Sequence, residues 1–279
     1  MNISIIGTGL IGGSLAIALK ELGIAEKIFG VESNPIHAQK ALELKLVDEV
    51  FPLEEAISKS KIIFIAIPVD IAGKMIEEIL EKVDQQIVID LGSTKGVISD
   101  AADKSPKRGR FVAAHPMWGT EFSGPTAAVK GAFRGNAAVI CDGEKSDKDA
   151  FETAEKIFES LGMNVVHMKA GAHDVHAAYI SHISHISSFA LANTVLEKEK
   201  EEDAIFEMAS GGFESTVRLA KSNASMWVPI FKQNRENVLD VLNEHISQLR
   251  KFKSCLEKEN YSYLTELIEN ANKIKRILK

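Results

Sequence analysis

His115 stands directly before Pro116, at the end of the apolar run Phe111, Val112, Ala113 and Ala114, in the stretch HPMWGTE. Proline biases the residue before it toward extended backbone and cannot continue a hydrogen-bond ladder, so this order predicts a strand that ends with an imidazole at a sheet rim. Ser93, in VIDLGSTKG, follows a second predicted strand over 87 to 91 and places a hydroxyl, with Thr94 and Lys95 beside it, at an equivalent rim. A hydroxyl and an imidazole on neighbouring strand ends can share a hydrogen bond, and a neutral imidazole can take a proton from a substrate hydroxyl.

The stretch GTGLIG at 7 to 12 has the spacing G-x-G-x-x-G between a predicted strand and a predicted helix, and Glu32 lies 20 residues after Gly12 at the end of the next strand. That is the dinucleotide fingerprint, and each part has a physical task. Gly7 makes the tight turn, Gly9 lets the backbone approach a pyrophosphate, and Gly12 permits close helix–strand packing. The helix that opens at Leu10 and Ile11 supplies N–H groups and a positive dipole end for phosphates. Glu32 can accept hydrogen bonds from both ribose hydroxyls, whereas a 2′-phosphate would meet its charge with no arginine nearby in ESNP. The expected cofactor is NAD rather than NADP, and the expected chemistry is hydride transfer.

HDVHAAYISHISH carries four histidines. At about 100° per residue, the pair His173/His176 and the pair His182/His185 point to nearly opposite faces of one helix, so no single four-ligand metal site is expected. His182 and His185 are read as facing a cleft, and His173 and His176 as polar surface. Arg218, with Lys221 and Trp227 nearby in GGFESTVRLAKSNASMW, is a candidate anion anchor, since a guanidinium forks onto carboxylate.

These side chains need a frame to hold them. From residue 2 to about 168, apolar strand-length runs (ISIIG, KIFGVE, KIIFIAIP, QIVIDLG, FVAAHP, AAVICD, NVVHM) alternate with amphipathic helical runs. Such alternation predicts a doubly wound, mainly parallel α/β sheet of Rossmann type covered on both faces. Beyond about residue 170 the patterns are all helical, so the expected domains are 1–168 and 169–279. Val238, Leu242, His245, Leu249, Phe252 and Leu256 share one helical stripe, and Tyr263, Leu267, Ala271, Ile274 and Leu278 another. Two such stripes in a small domain predict a homodimer through the helical half. The run EKEKEED at 197 to 203 is expected to be a solvated helix end or connection.

With 279 residues, 45% apolar and 26% charged, the chain has the usage of a folded globular protein. Its formal charge is -6, from 33 basic and 39 acidic residues spread along the sequence, which leaves no electrostatic footprint for nucleic acid. Cys141 and Cys255 are too few and too far apart for a disulfide framework or a structural zinc site. No apolar run approaches the roughly 18 residues of a membrane helix. The start MNISIIGTGL goes straight into a strand pattern without the features of a signal peptide, and a cytoplasmic location is expected.

GTGLIGGSLA, DLGSTKG, HPMWGTEFSGP, SHISHISSFALA and TVRLAKS followed by MW stand in an order that resembles the prephenate dehydrogenases of tyrosine biosynthesis. HPMWGTEFSGP is the most specific element of that resemblance, which covers nearly the whole chain. The resemblance implies NAD-dependent oxidative decarboxylation of prephenate to 4-hydroxyphenylpyruvate. It implies that His115 accepts a hydrogen bond from the ring hydroxyl, with Ser93 orienting it. It also implies that His185 lines the pocket with Trp118, Gly119 and Thr120, that Arg218 holds a substrate carboxylate, and that the helical domain dimerises. No metal is implied.

The sequence departs from the family pattern at three places. Trp118 replaces a small residue after His-Pro-Met, FES at 213 to 215 replaces Phe-Arg-Asp, and ISH replaces Leu-Pro-His. Arogenate, with an amine in place of the side-chain keto group, stays open as the substrate, because an acid such as Glu214 could favour an ammonium. A reductase of β-hydroxy acids or imines shares the layout but leaves HPMWGTE without a role. A non-catalytic NAD-binding sensor requires His115, Ser93 and Arg218 to coincide by chance. A monofunctional enzyme is expected.

Overall fold

Runs of isoleucine, valine and phenylalanine form the strands of one sheet, and the helical patterns between them close over both of its faces. The computed structural model describes residues 1–200 and 206–277. The strands are β1 (Asn2–Ile6), β2 (Lys27–Val31), β3 (Glu49–Val50), β4 (Ile62–Ile65), β5 (Ile87–Asp90), β6 (Phe111–Pro116), β7 (Ala137–Cys141) and β8 (Asn164–Met168). They lie in the order β3-β2-β1-β4-β5-β6-β7-β8. All neighbouring pairs are parallel except β6 with β7, which is antiparallel. The doubly wound sheet read from the alternation is therefore present, with the last two strands reversed.

The helices among these strands are α1 (Leu10–Glu21), α2 (Pro35–Glu43), α3 (Leu53–Lys59), α4 (Val69–Lys82), α5 (Gly96–Ala102) and α6 (Lys148–Ser160). After β8 come α7 (Ala170–Ala177), a π-helical turn (Ala178–His182), α8 (Ile183–Glu199), α9 (Gly211–Val217) and α10 (Ala224–Gln233), then α11 (Arg235–Glu257) and α12 (Tyr261–Ala271). The short β3, α3 and α5 were not legible in the apolar pattern. Each is two to seven residues long, too short to repeat a period.

Alternate residues of the central strands feed two cores. Ile3, Ile5, Phe64, Ile89, Val112 and Ala114 pack with Leu15 and Leu19 of α1. Ile6, Ile63, Ile65, Val88, Phe111 and Ala113 pack with Ile76, Ile79 and Leu80 of α4. This period of two on a sheet buried on both sides is why the strands read as apolar throughout. It also puts His115 on the face of Phe111 and Ala113.

The chain divides into two units, Met1–Asn234 and Arg235–Lys279. In the first, α7 packs on α5 and α10 on α4, so helices that follow the last strand remain fastened to the sheet. In the second, α11 and α12 pack on each other. Leu249, Leu256, Tyr263 and Ile274 of the expected stripes are exposed, while Leu278 and residues 201–203 of the charged run lie outside the described residues. Among the described residues no helix is long and apolar enough to cross a membrane. Cys141 and Cys255 are buried free thiols.

The rim of the sheet is fixed by one buried cation. The Lys95 ammonium is fully buried, pairs with the Asp90 carboxylate at the end of β5, and donates to the carbonyl of Ala114 at 2.7 Å. Asp90 also accepts the Gly92 N–H at 2.9 Å. Lys95→Met would leave the Asp90 charge buried and uncompensated, so an expected loss of about 3–5 kcal/mol should appear as a lower urea midpoint. A midpoint like that of the wild type would show that the pair does not hold the rim.

Candidate active site

The sheet order reverses between β1 and β4, and in open α/β sheets the crevice at that switch point receives ligands. Gly7 sits there with φ +92, and a Cβ on it would lie 2.5 Å from the Ala66 carbonyl oxygen that follows β4. A Cβ on Gly12 would lie 2.0 Å from the Gly7 carbonyl oxygen, so only glycine lets α1 approach the loop this closely. At Gly9 a Cβ would meet nothing within 4 Å, which leaves the backbone open to an incoming group. Leu10 and Ile11 open α1, whose first turn holds no acidic side chain. The Glu32 carboxylate is held at the end of β2, accepting from the Thr8 N–H and hydroxyl at 3.1 and 3.0 Å and from the Asn34 N–H at 3.1 Å. These features fit a dinucleotide: an open approach at Gly9, free N–H groups at the helix start and a fixed acid for ribose hydroxyls.

His115 lies one residue before the end of β6, which runs on through Pro116, and its Nδ1 partner is His173 Nε2 at 2.8 Å. No hydrogen bond joins it to Ser93 among the described residues; Ser93 is half-buried at the neighbouring rim, in the turn between β5 and α5. His173 Nδ1 in turn lies 2.8 Å from Asp174 Oδ1. The Asp174 carboxylate also accepts the Lys95 N–H at 2.7 Å and the Gly96 N–H at 2.8 Å, capping α5 from another helix. Burial pushes the Asp174 carboxyl up, but the hydrogen bonds from His173, Gly96 and Lys95 outweigh it and hold the group below its ordinary range. Burial pushes the His115 imidazole well below its ordinary 6.5, and repulsion from His173, Lys95 and His182 adds to this.

The reading of His173 as polar surface is corrected here: it is 2% exposed, while His176 is exposed. The π-helical turn at 178–182 explains why a uniform 100° projection failed. Its extra residue shifts the phase between α7 and α8, so His173 and His182 are both buried instead of falling on opposite faces. Asn234 joins the two segments, donating to the Asp174 carbonyl at 2.7 Å and to His182 Nδ1 at 3.1 Å. Burial lowers the His182 imidazole to about 4, so it is neutral at pH 7. Among the described residues no group of three or more side chains is placed to hold a metal ion.

His185 stacks on Trp227 with ring centroids 3.5 Å apart, and its Nδ1 donates to the Ser181 carbonyl at 3.0 Å. Burial lowers its pKa, the Ser181 bond opposes this, and the Arg218 charge lowers it further. Arg218, half exposed, pairs with Glu121 at 3.1 Å. Beside that pair lies a cavity of about 720 Å³, lined by Glu121, Phe122, Ser123, Thr126, Lys221 and Asn223 among others. Of the remaining expected residues, Thr120 accepts the Phe122 N–H at 3.3 Å and Gly119 is exposed. Trp118 turns its ring edge to Phe133, 5.7 Å away, and packs against the core. The bulkier residue after His-Pro-Met is thus partly absorbed by core packing.

His173, read as surface, and Asp174, Asn234 and Glu121, given no role in the sequence reading, are bonded directly or through one neighbour to the expected site residues. The signal for the first two was the His-Asp dipeptide, of which only the histidine was considered, because nothing local marks burial. Glu121 lay in plain view in HPMWGTE.

Two family descriptions match the chain: the nucleotide-binding domain of prephenate dehydrogenase over residues 15–167 and its dimerization domain over 169–270. Prephenate dehydrogenase of Bacillus subtilis is 31% identical over 97% of this chain and 74% of its own length. The crystal structure of prephenate dehydrogenase from A. aeolicus in complex with hydroxyphenyl propionate and NAD+ superposes with a TM-score of 0.89 at 29% identity, covering 99% of this chain and 97% of that one. Synechocystis arogenate dehydrogenase matches over the full length of both chains with a TM-score of 0.78 at 26% identity. The glycine cradle, the strand-end histidine and these matches lead to one conclusion: the chain belongs to the prephenate dehydrogenase family of NAD-dependent oxidoreductases.

Proposed function

We propose that this NAD-dependent enzyme carries out the oxidative decarboxylation of prephenate to 4-hydroxyphenylpyruvate with His115 as the hydrogen-bond acceptor for the ring hydroxyl. The observation that carries the reading is the placement of a half-buried imidazole at the β6 rim, bonded to His173, where desolvation favours its neutral form. Gly7, Gly9, Gly12 and the start of α1 at Leu10 and Ile11 would hold the cofactor's phosphates, and Glu32 its ribose. When bound, NAD⁺ supplies the hydride acceptor.

His115 takes the hydroxyl proton while hydride leaves the carbon that bears it. Loss of the ring carboxylate as CO2 then makes the ring aromatic, and the proton can return from His115 to the phenolic oxygen. The half-buried Ser93 hydroxyl is assigned to the same end of the substrate, and His185 on Trp227 to a wall of the pocket, with Gly119 and Thr120 in the loop that follows His115. Trp118 shapes that loop from the core side.

Prephenate is a dianion, and Arg218 is the cation assigned to one of its carboxylates by a charge-assisted fork in competition with Glu121. Glu214, the acid suggested for an ammonium, is exposed on α9 and lies 3.8 Å from Lys221. Residues 169–279 are assigned to substrate binding and dimerisation. The homodimer is assigned to the helical half, supported by the exposed apolar positions of α11 and α12. A cytoplasmic setting agrees with two buried, unpaired thiols.

The first test is NADH appearance with prephenate and with arogenate in parallel; turnover of neither, with NAD bound, would refute the reading. His115→Asn should fold and bind NAD yet lose turnover by a factor on the order of 10²–10⁴ or more. Near-normal rates would remove His115 from the chemistry. Because the active imidazole is the neutral one, activity should fall as pH drops through the His115 pKa. Since that value is depressed, the acid limb of kcat/KM should lie below 6.5. Arg218→Gln should raise the KM for prephenate about 10–100-fold with a smaller change in kcat. An unchanged KM would rule it out as the carboxylate anchor.

A further inference from the structure

His115 is useful as an acceptor only if its proton sits on the right ring nitrogen. We propose that Asp174 and His173 are positioning residues that fix His115 as its Nδ1–H tautomer, leaving Nε2 as the bare nitrogen that meets the substrate hydroxyl. The inference rests on the assignment of His115 made above and goes beyond it, because neither His173 nor Asp174 touches the reacting atoms in this account.

The chain of reasoning starts at Asp174. Two backbone N–H groups, of Lys95 and Gly96, point at its carboxylate at 2.7 and 2.8 Å, so the group serves as an acceptor on both oxygens. An acceptor at 2.8 Å from His173 Nδ1 requires the proton on that nitrogen. In a neutral ring the proton on Nδ1 leaves Nε2 with a lone pair, and Nε2 is the atom 2.8 Å from His115 Nδ1. That contact then requires a donor, so His115 carries its proton on Nδ1. Its Nε2 is left unprotonated without any change of charge.

The surroundings favour the neutral form of His115. Lys95, fully buried and bonded to the carbonyl of Ala114, places a fixed positive charge under His115. Asp90 answers that charge from β5, and His182 approaches from the π-helical turn with its own ring neutral. Asn234 holds the carbonyl of Asp174 from the end of α10. His173 and Asp174 both lie on α7, so one rigid helix sets the whole donor sequence, and the cap on α5 ties that helix to the rim on which His115 stands. The arrangement works as the carboxylate–imidazole pair of a hydrolase triad does, with a second imidazole inserted between the carboxylate and the acting one.

The direct test is the ¹⁵N spectrum of histidine-labelled protein, with the His115 signals assigned by their loss in His115→Asn. The expected result is a protonated Nδ1 and an unprotonated Nε2 at neutral pH. A protonated Nε2, as an imidazolium at His173 would impose, would overturn the proposal. His173→Phe keeps the volume and leaves Asp174 on its two N–H groups but removes the acceptor. It should shift His115 toward the Nε2–H tautomer and lower kcat by a factor on the order of 10²–10⁴, with KM and NAD affinity within about threefold. His173→Gln, whose amide oxygen can accept from His115 Nδ1–H, should recover much of the rate and the tautomer. Unchanged kcat in His173→Phe would overturn the proposal, as would an equal loss in both variants with the tautomer intact. Should His173→Phe fail to fold, the wild-type spectrum and the Gln variant decide. Activity retained by His115→Asn would instead take down the assignment on which the inference rests, and is read from a different protein.

Discussion

A lysine with no exposed surface organises the strand-end rim on which His115 stands. Lys95 reaches back under the sheet to Asp90 and across to the carbonyl of Ala114, so the ends of β5 and β6 are joined through one ammonium. A buried ion pair of this kind gives little net stability against a hydrophobic alternative, but breaking one half of it is costly. Its contribution here is geometric. The residue after Ala114 is His115, and the backbone N–H of Lys95 is one of the donors that hold Asp174. The same residue therefore sets the strand end on which one histidine stands and anchors the helix that delivers the other.

The cofactor cradle depends on a different constraint, the absence of side chains. Gly7 and Gly12 each occupy positions where a Cβ would overlap a carbonyl oxygen, and Gly9 faces open space. Steric exclusion at two points and vacancy at the third bring the start of α1 to the switch point between β1 and β4. Glu32 then reaches across to Thr8, so the acid at the end of β2 also braces the glycine loop. The cradle and the His115 rim lie at the same carboxyl ends of the parallel strands, with β4 and β5 between β1 and β6.

Much of this could be read from the chain alone, for identifiable reasons. The sheet was legible because strands buried on both faces cannot be polar, and the cradle because G-x-G-x-x-G with an acid 20 residues on leaves few alternatives. His115 was legible because an apolar run leading into His-Pro places the imidazole close to a strand end. The partnership of His115 was not. Ser93 was the plausible neighbour along the rim, whereas the partner came from α7, 58 residues away, with a phase shift inside the following helix. Periodicity assumes a uniform helix, and HDVHAAYISHISH is not uniform. Trp118 was read toward the pocket and in part packs inward on Phe133, a choice set by a core gap that local sequence does not encode.

The π-helical turn divides one helical run into two parts with different allegiances. Before it, α7 is bonded to the start of α5 through Asp174 and to β6 through His173; after it, α8 carries His185, and Ser188 donates to the carbonyl of Thr216 in α9 at 3.1 Å. The residue inserted at the turn lets the second part follow α9 and the segment bearing Arg218 without turning His173 away from His115. Two parts of one stretch of chain are thereby fastened to different neighbours, α7 to the start of α5 and to β6, and α8 to α9. On the roles proposed for His115 and Arg218, substitutions after the turn would alter the carboxylate-binding side while the His115–His173 contact stays as it is.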